Sequence, residues 1–133
     1  MKLFPFAFVI LMTASCRDSP VAKKLSGSDS LVITFNMPDS DSIIKTVSTT
    51  ENSAINKVVD FMNGKPAKVF KCGYDGNLIF FFKGQVLLPV VFKYKDANCR
   101  HFLFESDGKV MSTKMNNEAA DLLESLEQGK IFY

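Results

Sequence analysis

The apolar residues of this chain recur with two periods, and those periods predict its elements. In Leu31-Val32-Ile33-Thr34-Phe35-Asn36-Met37, alternation places Leu31, Ile33, Phe35 and Met37 on one face of a strand. Pro38-Asp39-Ser40-Asp41 is turn chemistry, and the β-branched run at 43–50 predicts a second strand. The period then becomes helical. Ile55, Val58, Val59 and Met62 share one side of a helix over roughly 52–63. Thr50 or Asn52 is expected to cap its start, and Asn63-Gly64-Lys65-Pro66 to close it with a left-handed glycine.

Five more strands are expected, at 67–72, 77–83, 86–95, 99–105 and 109–115. Tyr74-Asp75-Gly76-Asn77 reads as a hairpin turn, as do Lys83-Gly84-Gln85 and Ser106-Asp107-Gly108. Leu78-Ile79-Phe80-Phe81-Phe82 is apolar on both faces, and Pro89 marks its strand as an edge or a bulge. A last helix over 117–128 starts at an Asn116 cap, buries Ala119, Leu122, Leu123 and Leu126, and stops at Gly129. The order is ββαβββββα. Tight turns make it an α+β domain: an antiparallel meander of about six to seven strands with two helices packed on one face.

The N-terminus has a different pattern. Lys2 is followed by an unbroken apolar run at 3–12, then Thr13-Ala14-Ser15 and Cys16. That is the layout of a secretory signal, and the run is short of the about 20 residues a membrane span needs. Ala14-Ser15-Cys16 resembles a bacterial lipobox, in the looser form found in Bacteroidota, where Thr13 stands in place of the usual leucine. The resemblance implies cleavage before Cys16, acylation of that cysteine (palmitate among the chains) and durable anchoring through more than one chain. Asp18 and the Cys16-Arg17-Asp18-Ser19 segment are similar to outer-membrane sorting and surface-export tags. The expected organisation is a signal peptide at 1–15, a flexible Ser-rich tether at 16–30 and one domain at 31–133.

Composition narrows the function. Thirteen Phe are present and only Phe4, Phe6 and Phe8 lie in the leader, so core material is ample. A net charge of +2 offers no field for nucleic acid. Once Cys16 is set aside, Cys72 and Cys99 remain as an even pair in an exported domain, which favours a disulfide. In a plain meander their strands lie three spacings, roughly 14 Å, apart, against the about 7 Å that a disulfide tolerates. The bond therefore requires sheet curl, a non-sequential strand order or a bent Cys72-Gly73 loop. It would add about 3 kcal/mol. The alternative is two buried thiols.

His101, the single histidine, falls on the same strand face as Cys99. With Cys72 these make a three-ligand set lacking zinc-like spacing, or a Cys-His pair with nothing to activate it. Asp39-x-Asp41 begins like a calcium loop but lacks its glycine and distal glutamate. Glu118, Asp121, Glu124 and Glu127 read as a solvated helix face, and Lys65, Lys68, Lys71, Lys93, Lys95 and Lys109 as a soluble outer face, the alternative for the lysines being contact with an anionic envelope partner. Phe80, Phe81, Phe82, Phe102 and Phe104 read as core, unless one sheet face is left bare as a binding surface. No catalytic set or cofactor motif is found. The expected role is therefore a non-enzymatic binding or structural one in the cell envelope, on the outer membrane through Cys16, with an envelope protein or glycan as partner. The alternatives are an inhibitor of a hydrolase such as lysozyme, by analogy with small β-rich periplasmic inhibitors whose loop motifs are missing here, and an enzyme using Cys72, Cys99 or His101.

Overall fold

A computed structural model describes residues 20–69 and 71–133. It shows an α+β domain with three helices, α1 (Pro20–Leu25), α2 (Asn52–Met62) and α3 (Asn117–Glu127), and six strands. The strands are β1 (Ser30–Asn36), β2 (Ile43–Thr49), β3 (Gly76–Phe82), β4 (Gln85–Lys93), β5 (His101–Ser106) and β6 (Lys109–Lys114). They form one antiparallel sheet in the order β2-β1-β3-β4-β5-β6. The meander runs from β3 to β6, but β3 returns to pair with β1, so β1 lies inside the sheet and β2 at its edge.

Alternation builds the core. Leu31, Ile33 and Phe35 of β1, Leu78 and Phe80 of β3, Val90 and Phe92 of β4, and Phe102 and Phe104 of β5 meet the apolar sides of all three helices. Phe35 meets Phe92 and Tyr94 edge-on, and Phe92 and Tyr94 are tilted by 44° to each other, at centroid distances of 5.8–6.3 Å. Each such ring removes enough apolar area from water to contribute roughly 2–3 kcal/mol. Of the aromatics expected as core, Phe82 is exposed at the β3–β4 hairpin and Phe81 is half-buried on the far face.

Three local expectations are corrected. The tether does not extend to residue 30: α1 begins at Pro20, Val21 and Leu25 are buried four residues apart, and Ser30 already belongs to β1. A six-residue helix with two apolar anchors is too short to show a period, although proline suits a first helical position and Lys23 and Lys24 suit the last turn. Residues 16–19 of that segment lie outside the described residues. Helix α2 has Glu51 at its N-cap with no side-chain cap, while Thr49 Oγ1 accepts from the Glu51 amide. Its C-cap is Asn63, and Gly64 serves close approach instead, since a Cβ there would lie 2.5 Å from Lys114 O. By contrast Asn116 caps α3 as expected, its Oδ1 accepting from Ala119 N at 2.8 Å.

The expected strand at 67–72 is replaced by a crossing segment. Lys65 O and Ala67 N bond to β6, and Pro66 makes one isolated bridge to Thr113. Apart from Phe70, which is not described, residues 67–75 then run without strand structure across the face opposite the helices. Pro89 lies in an interior strand, but the β4–β5 ladder stops at Val90, one residue before the position that lacks an N–H. A register shift at Phe80/Phe81 supplies the bulge.

Candidate functional site

The crossing segment is tied at its far end by three features. The first is the Cys72–Cys99 disulfide, with Cα atoms 6.4 Å apart. Of the routes that the spacing allowed, the chain uses the bent loop: it bends at Cys72 and passes through Gly73 at φ +74°, rather than ending a strand there. The second is Asp75, 6% exposed. Its Oδ2 accepts from the Tyr94 and Lys95 amides at 2.8 and 2.9 Å, and its Oδ1 from Lys93 Nζ at 3.0 Å. The Asp75 amide donates to Phe92 O, and its carbonyl accepts from Asn36 N. The third is Gly76, where a Cβ would lie 2.0 Å from Thr34 O and 2.6 Å from the Phe92 ring. The expected Tyr74–Asn77 hairpin turn is therefore a buried anchor and the first residues of β3.

His101 is fully buried beneath this segment. Its Nδ1–H donates to Cys99 O, and the Tyr74 ring leans on it at 6.4 Å. With both sulfurs bonded, the Cys72–Cys99–His101 set offers no thiolate to a metal or a substrate. The described residues contain no group of three or more His, Cys, Asp or Glu side chains placed to hold a metal ion. Cys16 lies outside the described residues, and no described helix is long and apolar enough to cross a membrane.

Between the crossing segment and the β1–β2 turn lies a cleft of about 440 Å³. Asp39, Ser40 and Asp41 form one wall, and Cys72, Gly73 and Tyr74 the other. Asn36, Asn77, Val91 and Lys93 make the floor. Asn77 Nδ2 donates to Thr34 Oγ1, and Lys93 is neutralised by Asp75. Asp39 and Asp41 are exposed, and neither carboxylate has a hydrogen bond or ion pair among the described residues.

A second hollow of about 430 Å³ lies against α3; its charged groups already have partners, while the buried Tyr94 hydroxyl has none among the described residues. Lys95 Nζ meets Glu127 Oε1 at 3.1 Å, and Arg100 donates to Tyr94 O and Asn117 Oδ1. Glu127 is thus not a solvated side chain like the exposed Glu118, Asp121 and Glu124. Burial, and then the charge of Asp75, push its carboxyl above the ordinary glutamate range, with Lys45 partly offsetting them.

The sheet face opposite the helices carries Val32, Ile79, Val91 and Leu103, all half-buried, with Phe81 as its aromatic residue. Of the rings expected as core or as a bare binding face, Phe80, Phe102 and Phe104 went to the core. Sequence reasoning named Asp39, Asp41 and Cys72 without bringing them together, and it missed Asn36 and Tyr74. Both belong to segments whose neighbours only the crossing connection sets. Comparison with known proteins adds no relative: no protein-family model, no curated protein and no solved structure matches the chain.

Proposed function

We propose that this protein is a membrane-anchored lipoprotein of the cell envelope, held on the outer membrane through acylated Cys16, and that it acts by binding rather than by catalysis. The observation that carries the binding role is the cleft. Its walls come from segments far apart in sequence and are fixed by a disulfide on one side and a strand hairpin on the other, so the recognition surface exists before a ligand arrives. A disulfide in the domain fits an oxidising compartment, as export requires. The acidic rim and the aromatic wall fit an envelope protein or glycan as the occupant.

The position of α1 adds a mechanical consequence. Cys16 precedes Pro20 by only four residues, a reach of about 14 Å when fully extended, so an anchored domain stays against the bilayer. Two experiments in the native cell test the proposal. Alkyne-palmitate labelling should mark the protein and be lost in Cys16→Ser; labelling that persists in that variant refutes the anchor. A photo-crosslinking residue at Ser40, on the cleft wall, should capture a discrete partner that the same residue at Lys109 does not. Identical capture patterns at the two positions would count against the cleft.

A further inference from the structure

The charged groups of the cleft that keep no counter-charge among the described residues are hydrogen-bond acceptors. Among the described residues, Asp39 and Asp41 bring two carboxylates without a partner, while the one cation of the lining, Lys93, is already matched by Asp75. Asn36, 7% exposed, also lines the cleft, and its side-chain oxygen has no partner among the described residues. A buried acceptor without a donor is costly, so its persistence points to a donor brought by a ligand. Tyr74, 42% exposed, presents a ring at the opposite wall and is steadied from behind by His101. Two carboxylates, an amide oxygen and an aromatic face are the complement of a planar cation that carries several N–H groups.

We infer that the cleft receives a guanidinium group, the head of an arginine side chain on a peptide or protein, seated between Asp39 and Asp41 with its plane against Tyr74. The inference rests on the cleft being the binding surface and deepens that reading. Guanidinium suits the site better than ammonium, because its fork pairs with carboxylates two bonds at a time and its flat face stacks on a ring. The volume admits one such side chain with part of its backbone.

The test titrates the full-length chain, in a mild non-ionic detergent, with Nα-acetyl-arginine amide and with the isosteric neutral citrulline amide. The backbone amides of 36–42 and 72–77 are followed by NMR. The arginine compound should shift these amides and bind about tenfold or more tightly than citrulline. Its affinity should fall as salt is raised. The double variant Asp39→Asn with Asp41→Asn should reduce arginine to the citrulline level. Its thermal midpoint should stay unchanged, since both positions are exposed and asparagine tolerates the φ of +55° at residue 39 as aspartate does. Tyr74→Leu should cost about threefold. An acetyl-Ala-Arg-Ala amide that binds more tightly than arginine amide assigns the group to a peptide; equal affinity assigns it to a free guanidino compound.

Equal binding of citrulline and arginine, or full binding by the double variant, overturns the inference. If an N-acetylglucosamine trimer shifts the same amides and arginine does not, the guanidinium assignment falls while the binding cleft stands. If no probe shifts them and crosslinking at Ser40 recovers nothing specific, both fall.

Discussion

The same dipeptide occurs twice in this protein and does opposite things. Asp107-Gly108 is exposed at the tip of the β5–β6 hairpin, with φ of +53° and +76°, and a Cβ on the glycine would meet nothing within 4 Å. Both positive angles belong to the two-residue turn that matches strand twist, as at Lys83-Gly84. Asp75-Gly76 lies at the end of the crossing segment, with its carboxylate buried on three donors and its glycine pressed between Thr34 O and the Phe92 ring. Turn propensity at such a pair is worth about 1 kcal/mol. A charge-assisted network and a close backbone contact are worth several. Where the two compete, the tertiary neighbours win.

The comparison can be broken with matched substitutions. Gly76→Ala should be the most damaging: the new methyl has nowhere to go, and a loss of about 5 kcal/mol or more leaves little folded protein. Gly108→Ala should cost only about 1 kcal/mol, the price of a left-handed angle. Urea denaturation measures both, and equal losses would erase the distinction. Asp75→Ala should cost about 4 kcal/mol, because it strands Lys93 and two amides, against about 1 kcal/mol for Asp107→Ala. Replacing Cys72 and Cys99 together with serine should cost about 3 kcal/mol, with amide hydrogen exchange rising first at 67–75 and not at 107–108.

The smallest effect concerns Glu127, whose carboxyl is raised by burial and then by Asp75. A raised folded-state value means that the neutral form suits the fold. The contribution of Glu127 is fully present below the ordinary glutamate range and is lost as pH rises through the folded value. Glu127→Gln should therefore match the parent protein in thermal midpoint at acid pH and equal or exceed it near neutrality. A midpoint below that of the parent at neutral pH would mean that the contact with Lys95 outweighs burial.

Much of the fold was legible along the chain. The alternation from Leu31 to Phe35, the helical spacing of Ile55, Val58, Val59 and Met62, the Asn116 cap and the turns at Lys83-Gly84 and Asp107-Gly108 all depend on residues close in sequence. The misreadings share one cause. The strand expected at 67–72, the turn expected at Asp75-Gly76 and the glycine cap expected at Gly64 were judged on local propensity, yet each of those positions answers to a distant backbone: β6 for Gly64 and Pro66, β1 and β4 for Asp75 and Gly76. Helix α1 escaped for the opposite reason, since it is too short to carry a period and is held by what it packs on.

The candidate site was the least legible part. Asp39 and Asp41 could be seen as a turn and Cys72 as half of a disulfide, but nothing in their spacing placed them across a cleft from each other. The sequence alone settled the six strands that form, helices α2 and α3 and most of the faces they bury, because periodicity is a local property. It also supplied the pattern from which an anchor at Cys16 is proposed. Only the tertiary structure decided that β3 docks on β1, that the chain recrosses the sheet, and that a carboxylate wall faces a tyrosine. Those outcomes rest on contacts between residues distant in sequence, 41–51 positions apart where β3 docks on β1 and 45–49 where the crossing segment meets β6, whose energies exist only once the chain has closed on itself.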